Sequence, residues 1–352
     1  MGQLGLPWVW EEEALRRAVL DALRRQGFVV TNGRLVLPDP DDKDAIRRLY
    51  ALRRREELRK AWRWLVSVED RLLPYFANGD EVVPEKIKPC LVPVDSRLKA
   101  DLFRYASLLW SVPVSRGYGR RLRYLVFDES NGKLLGLIAL CDPVYGLSVL
   151  DQWVGWGDQT KRERLRHVVN AYVLGAVPPY SRLLCGKLVA LLAISDEVRR
   201  EFMGRYGGVH VVLVVTLSAL GRSSIYNRLV CCNRRAYLSL GFTVGWGNFH
   251  IPDDVFEWMR SYLREAGEVV EGDYRFGYGP KWRMRVIGRC LSRLGLSRGL
   301  LRHGVRREVF VAPLAENARE FLRGEVDSPT YYSPCDVWSY FRERWLLPRA
   351  AR

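Results

Sequence analysis

The sequence predicts an α/β protein of the α+β class, in which helices flank a β-sheet. Leu122–Phe127 and Lys133–Leu140 are strand-like and meet at Asn131-Gly132, a strong short-range signal for a β-hairpin. Two further runs, Asn170–Val177 and Val209–Leu217, are largely apolar, as in strands covered on both faces. Segments with apolar residues at helical spacing surround them, and 352 residues are enough for a substantial core.

Residues 1–93 are expected to form a helical and hairpin arm that ends in a linker. The first helix should run from about Glu11 to Arg25, and Asn32-Gly33 should turn a hairpin. A long basic helix follows, up to Trp64, and its cations either form a solvated face or contact phosphate. The stretch Pro74–Pro93 is rich in proline and charge, which is typical of a linker.

Residues 94–272 are expected to form the α/β core, and residues 273–352 a basic segment with a final strand and helix. Pro178-Pro179 should end the strand that begins at Asn170, and Ser181 is a suitable N-cap for the helix that follows. Helix-like sequence continues from Ile225 and should meet a strand near Tyr237. The other predicted elements are helices at Ser96–Trp110, Asp158–Val169 and Asp253–Leu263, and a strand at Glu308–Pro313.

Composition narrows the class of protein. No apolar run is long enough to span a bilayer and no secretory signal pattern is present, so we expect a cytoplasmic protein outside the membrane. The seven cysteines include no CxxC pair, and the four histidines have no ligand spacing. Mostly reduced thiols are therefore expected, and a metal centre is not predicted from these residues.

Positive charge points to a polyanionic partner. The net charge is +16, carried mostly by arginine, which grips phosphate with two hydrogen bonds at once. Ten Lys or Arg and no acid lie between Tyr274 and Arg307, with Tyr274, Phe276, Tyr278 and Trp282 interleaved. This pattern favours nucleic acid, most simply DNA. The candidate contacts are Arg116, Arg120, Arg121, Arg222, Arg228, Lys281, Trp282, Arg283, Arg285 and Arg289.

Six long and uncommon runs stand out along the chain: LWSVPVSRGYGRR (109–121), NGKLLGLIAL (131–140), DQWVGW (151–156), AYVLGAVPPY (171–180), SALGRSSIYNR (218–228) and FGYGPKW (276–282). These runs resemble the DruA-like family, which is named for a component of the Druantia anti-phage defence system. The resemblance covers almost the whole chain and implies a defence or mobile-element context with companion proteins, but no settled chemistry. Cys185 departs from it, because glycine is expected there.

A looser resemblance, over residues 122–244, is to the GNAT acyltransferases. It implies a mixed, mostly antiparallel sheet and an acyl-CoA cofactor bound where the strand Asn170–Val177 diverges from Val209–Leu217. Backbone groups near Gly175 would then be free to bond an extended pantetheine arm. Arg182, Gly186 and Lys187 would face the pyrophosphate at a helix N-terminus, and Tyr237 would protonate the departing thiolate. The reaction implied is acyl transfer to a nucleobase or an amine.

Two alternatives stay open. A strand-cleaving or recombining enzyme could use Asp142 and Asp151 to hold a divalent metal, or the hydroxyls of Ser223, Ser224 and Tyr226 as nucleophiles. The same two acids could equally cap turns, and the hydroxyls, with Arg222 and Arg228 close by in sequence, could line a phosphate-binding loop. A non-catalytic DNA-binding subunit is the third interpretation.

Overall fold

The chain divides into two compact units in a computed structural model. Unit 1 comprises residues 1–57 and 244–307, and unit 2 comprises residues 58–243 and 308–352. The structure describes residues 7–37, 42–231, 233–268 and 281–352. The predicted contribution of residues 274–278 to the basic segment, including its aromatic side chains and Arg275, lies outside the described residues.

The predicted helices Ser96–Trp110 and Asp253–Leu263 are present with ends within two residues, whereas the first helix starts at Pro7, the long basic helix continues to Leu72, and the helix predicted at Asp158–Val169 ends at Arg164. Leu15, Val19, Ala22 and Leu23, the predicted apolar side of the first helix, are all buried. In chain order the helices are α1 (Pro7–Arg25), α2 (Lys43–Leu72), α3 (Arg97–Leu108), α4 (Ser148–Val154), α5 (Asp158–Arg164), α6 (Cys185–Leu192), α7 (Asp196–Arg205), α8 (Asp253–Glu265), α9 (Trp282–Arg293), α10 (Ala318–Arg323), α11 (Val337–Phe341) and α12 (Leu347–Ala350).

The strands form one large sheet and two small hairpins among the described residues. Strand β1 (Val29–Thr31) pairs with β2 (Arg34–Val36), and the turn residues Asn32 and Gly33 have positive φ, as predicted for that hairpin. The other strands are β3 (Pro89–Pro93), β4 (Arg121–Asp128), β5 (Lys133–Cys141), β6 (Val168–Ala176), β7 (Leu213–Leu217), β8 (Val230–Cys231), β9 (Arg234–Arg235), β10 (Leu238–Phe242) and β11 (Glu308–Pro313).

The large sheet lies in unit 2 and has the strand order β10-β11-β7-β6-β5-β4-β3. Neighbouring strands are antiparallel, except that β6 and β7 are parallel. This confirms the α+β class and the mixed, mostly antiparallel sheet. The parallel pair requires a crossover, and the chain between β6 and β7 supplies it with α6 and α7.

Helices cover both faces of this sheet. On one face, Leu188 and Val189 of α6 pack with Phe202 of α7 against apolar residues of β4, β5 and β6. On the other face, Leu102 of α3 and Leu72 of α2 cover the same strands, while α4 and α10 cover β7 and β11. The middle strands are therefore apolar on both sides, which explains the continuous apolar runs in the sequence.

The segment that follows Ile225 is not the predicted helix. It consists of turns and the short hairpin β8–β9, and Tyr237 precedes β10. Backbone carbonyls of Ser224, Ile225 and Asn227 accept hydrogen bonds from the Lys187 amine, whereas in a helix they would accept from N–H groups four residues on. A tertiary contact therefore overrides the local helical pattern.

Two further findings concern the described helices and the cysteines. Among the described helices, none combines the length and apolar composition that crossing a bilayer requires. Free thiols are found at Cys90, Cys141, Cys185, Cys231 and Cys290, whereas Cys335 is disulfide-bonded.

Candidate functional site

The opening between β6 and β7 is the candidate functional site of unit 2. These parallel strands pair only through Val168–Asn170 and Leu213–Val215. One residue further along, Thr216 Oγ1 donates to Ala171 O at 2.8 Å, so a side chain takes the place of the main-chain ladder. Strand β6 continues to Ala176 and stays paired with β5 along its other edge. The two strands therefore diverge over the second half of β6, as predicted.

The peptide groups that face this opening belong to Leu174 and Ala176. Val177 N donates to Leu135 O on the β5 side at 2.9 Å, and alternate residues of a strand direct their N–H and C=O groups to opposite sides. The peptide groups of Gly175 therefore face β5, while those of its two neighbours face away from it. Within the part of the chain that the structure describes, no hydrogen bond satisfies these outward groups.

Gly175 has a different role from the one predicted. A β-carbon added at this position would lie 2.8 Å from Cζ2 of Trp110, so glycine is what allows the indole to lie against the strand. Further along the same loop, Gly117 lies against the ring of Tyr172 with an equally close approach. The loop between α3 and β4 thus lies over β6 and forms one wall of the opening.

The Lys187 amine does not face outward from the start of α6. It donates to Ser224 O and Ile225 O at 2.8 Å each and to Asn227 O at 3.3 Å, and it lies 4.4 Å from the Trp345 ring centroid. Burial, aided by the nearby positive charge of Arg228, lowers its pKa to about 8. The amine therefore holds the loop after β7 against α6, which corrects its predicted place at a pyrophosphate.

The other residues of the predicted pyrophosphate turn differ in exposure. Arg182 is exposed and Gly186 is half-buried, and a β-carbon added at Gly186 would lie 4.0 Å from Cδ1 of Ile225. Cys185 is fully buried, and burial raises the pKa of its thiol to about 12. A neutral, enclosed thiol fills the position at which the family resemblance implies glycine.

The two tyrosines predicted to act in catalysis lie in the core. Tyr237 is buried, donates to Ala190 O at 2.7 Å, and has a pKa raised well above its ordinary value by burial. Tyr226 packs between Tyr237 and Phe310 and hydrogen-bonds to Thr216. Neither hydroxyl reaches solvent, so the structure corrects the expectation that Tyr237 protonates a thiolate and that Tyr226 acts as a nucleophile.

The loop that follows β7, apart from Tyr226, is polar and partly exposed. Ser224, Arg222 and Arg228 are exposed, whereas Ser223 is half-buried and donates its backbone N–H to a Glu308 carboxylate oxygen at 2.9 Å. The second Glu308 oxygen accepts from Ser239 Oγ at 2.8 Å, and the residue is only 7% exposed. Sequence reasoning missed this buried carboxylate; its only signal was an acid opening an otherwise apolar strand.

Asp142 and Asp151 are each neutralised by a separate cation. Asp142 pairs with Arg120 at 2.7 Å and also accepts its backbone N–H. Asp151 pairs with buried Lys161 at 2.7 Å and accepts from Trp156 Nε1. Among the described residues no group of three or more His, Cys, Asp or Glu could hold a metal ion. This corrects the expectation of a metal-binding pair, because each acid is already satisfied by its own partners.

Three exposed arginines lie together at the end of the sheet where β4 starts. We call Arg116, Arg121 and Arg166 the arginine face. The Arg121 guanidinium approaches Arg116 O at 3.5 Å, and the neighbouring Arg120 donates to Arg166 O at 2.6 Å. Tyr206 pins the backbone of Arg121, accepting from its N–H and donating to its C=O. Among the described residues, no carboxylate lies within ion-pair distance of these three side chains.

The predicted basic segment of unit 1 is different. Arg283 donates to Asp253 at 2.7 Å, and Arg289 donates to both carboxylate oxygens of Glu268. Arg293 shares Glu268. The segment contains no acid of its own, but Asp253 and Glu268, which precede it in the sequence, form ion pairs with these three arginines. Arg283 and Arg289 thus each already have a carboxylate partner, although the Arg289 side chain is 51% exposed, and their contact with phosphate stays a prediction.

The remaining predicted contacts in this segment are less enclosed. Lys281 and Arg285 are exposed, and Arg285 has an interaction partner. The Trp282 ring is half-buried and packs edge-on against Phe256 at 5.7 Å, with Arg260 over its face. That indole is thus engaged within unit 1.

Comparisons with known proteins identify relatives along most of the chain. The family described as Druantia protein DruA matches residues 40–324. The Druantia protein DruA of Escherichia coli (strain UMEA 4076-1) is 42% identical over 356 aligned positions, covering 97% of this chain and 88% of the relative. No solved structure matches the chain.

Proposed function

The chain belongs to the DruA family, and on that premise we propose that it is a nucleic-acid-binding protein of a Druantia anti-phage defence system, working with companion proteins. The arginine face is the observation that supports nucleic-acid binding. Arginine binds phosphate with two parallel hydrogen bonds, and a polyanion releases counterions when cations replace them. Exposed cations without carboxylate partners are the ones available for this exchange.

The sequence alone favours the segment around Arg283, but the contacts of the two clusters support the opposite ranking. Arg283 and Arg289 already have carboxylate partners that offset part of their positive charge, so they should attract phosphate less strongly than unpaired arginines. Arg116 and Arg121 are exposed and contact only backbone oxygen or solvent in the described part of the chain. Arg120 forms an ion pair with Asp142 and so helps to position the backbone between Arg116 and Arg121. DNA is the probe we choose to test this proposal.

Replacing Arg116, Arg121 and Arg166 together with glutamine is expected to weaken DNA binding at least about tenfold at low salt. The slope of log affinity against log salt should fall by about 2 to 3, because roughly one counterion is released for each phosphate contact. Fluorescence anisotropy with labelled duplex and single-stranded DNA, at several salt concentrations, measures both quantities.

A matched control removes the same charge elsewhere. Arg17, Arg24 and Arg47 are exposed and belong to ordinary surface ion pairs within α1 and α2. Their triple glutamine variant carries the same net charge as the test variant, so it should keep most of the affinity. Equal losses in the two variants would mean that overall charge, not the arginine face, governs binding.

A second function, acyl-CoA-dependent transfer, is favoured by the divergence of β6 from β7. The outward peptide groups of Leu174 and Ala176 offer donors and acceptors along an open strand edge, as an extended pantetheine arm would require. The enclosed Lys187 and Tyr237 support neither the phosphate nor the proton-transfer role that the resemblance implied.

The variant Ala176→Pro tests this second function. It removes an N–H from the open edge and leaves the ladder to β5 intact, a setting in which strands tolerate proline. If the wild-type protein binds acetyl-CoA in calorimetry, the proline variant should bind about tenfold more weakly, as expected for one lost hydrogen bond to a bound ligand. Ala176→Val, which keeps the N–H, is the control. Absence of binding by the wild type would remove acyl-CoA as the ligand.

A further inference from the structure

Two tryptophans of α2, two residues apart, have opposite environments. Successive residues of a helix advance by about 100°, so Trp62 and Trp64 point in directions about 200° apart. Trp64 packs with Leu72 and Phe103 in the core of unit 2, and the Arg104 guanidinium lies 3.9 Å from its ring centroid. The side of α2 that packs on the sheet is thereby fixed, and Trp62 is directed to solvent with 64% of its surface exposed.

The exposed side of α2 carries cations around this indole. Arg59 lies three residues before Trp62, and Val66, 58% exposed, lies four residues after it. Residues at these spacings are neighbours on a helix surface, with β-carbons about 5–6 Å apart. Arg63 is next in sequence, and both arginines are exposed. We call Arg59, Trp62, Arg63 and Val66 the α2 platform.

The cations of the α2 platform are not neutralised by the fold. Among the described residues, no carboxylate lies within ion-pair distance of Arg59 or Arg63. About two turns earlier on the same helix, Arg53 pairs with Glu56 and Glu57. Acids thus pair with cations earlier on α2, whereas among the described residues Arg59 and Arg63 have no such partner.

We propose that the α2 platform is a stacking site for single-stranded nucleic acid. This inference rests on the proposed nucleic-acid function and gives it a second, chemically different contact. An exposed aromatic face binds any base by stacking, while flanking guanidinium groups hold the backbone phosphates. The chain carries a net charge of +16, so it should attract a polyanion more strongly than a partner protein with an apolar, acid-poor surface. The arginine face has no comparably exposed indole, so base stacking belongs to the α2 platform.

The test compares Trp62→Ala, Trp62→Phe and the double variant Arg59→Gln/Arg63→Gln in the full chain. Against a labelled single-stranded oligothymidylate, Trp62→Ala should bind about 5- to 100-fold more weakly with an unchanged salt slope, because no charge is lost. Trp62→Phe should keep most of the affinity, since a phenyl ring still stacks. The double arginine variant should lower the salt slope by about 1.4, as expected for two phosphate contacts on a single strand.

The outcomes separate this inference from the proposed function. If the wild type binds DNA but Trp62→Ala binds the single strand equally well, the α2 platform is overturned while the proposed nucleic-acid function stands. If the wild type binds no nucleic acid, both proposals fall. Trp246→Ala, which removes another exposed indole, from unit 1, should leave single-strand binding unchanged.

Thermal melting checks that each variant folds, and the double arginine variant decides the test if Trp62→Ala does not fold. Loss of companion-protein binding without loss of DNA binding would overturn the inference in favour of a protein partner.

Discussion

Replacing Lys187 with methionine is expected to lower the free energy of unfolding of unit 2 by about 2 to 4 kcal/mol. The amine donates to three backbone carbonyls, of Ser224, Ile225 and Asn227, and lies against the Trp345 ring. Methionine fills a similar volume but donates no hydrogen bond, so these carbonyls lose their shared donor. Urea unfolding, followed by circular dichroism, measures the change.

The pH dependence of that difference identifies its cause. The pKa of Lys187 is about 8 in the folded chain and about 10.5 in the unfolded one, so between these values the unfolded chain binds the additional proton. Wild-type stability should therefore rise with pH over this window by an amount that Lys187→Met lacks. Lys99→Met, which breaks an ion pair with Asp95 at the surface, should cost under about 1 kcal/mol. A similar cost for both variants would contradict the role assigned to Lys187.

Acid should unfold unit 1 through two buried histidines. His250 and His303 lie with ring centroids 5.5 Å apart and are 0% and 7% exposed. Burial lowers the pKa of His250 to about 4, and burial with the neighbouring charge of His250 lowers that of His303 to about 3. Because both folded values lie below the ordinary value of 6.5, unfolding takes up protons as the pH falls from 6.5. Stability should decline by about 3 to 6 kcal/mol between pH 6.5 and pH 4.

The hydrogen bonds of the two rings indicate matched substitutions. His250 Nε2 lies 2.8 Å from Leu300 O and so carries the proton, while His303 Nδ1 accepts from Val305 N at 3.1 Å. His250→Gln with His303→Asn can retain one donor and one acceptor without a titrating group. Chemical unfolding at pH 7, 5.5 and 4.5 should give this double variant a flatter profile than the wild type. Parallel profiles would place the acid sensitivity in other groups.

Local signals were sufficient for most of the sheet. Asn32-Gly33 predicts a turn because both positions need positive φ, and Glu308–Pro313 predicts a strand because its interior is apolar. The divergence of β6 from β7 was implied by the looser resemblance to the GNAT acyltransferases, and it is present. These features depend on short stretches whose local preference agrees with the fold.

The contacts of charged side chains could not be predicted in the same way. The acid-free run that contains Arg283 and Arg289 looked like an exposed basic surface, yet Asp253 and Glu268 reach it from before the run. Lys187 looked like a phosphate ligand because it follows a helix start, but its partners are carbonyls 37 to 40 residues away. Such partners are set by tertiary packing, which a spacing pattern does not encode.

Strand β11 lies between β10 and β7 in the sheet, although it is the last strand of the chain. A ribosome therefore completes β7 and β10 well before it delivers the strand that joins them. Until Glu308–Pro313 emerges, both earlier strands carry an unpaired edge that can recruit other chains. Unit 1 depends on late synthesis in the same way, since residues 1–57 can complete it only after residues 244–307 have been made. Unit 1 cannot be completed before residues 244–307 are made, nor unit 2 before residues 308–352, so the nascent chain needs protection from aggregation until then.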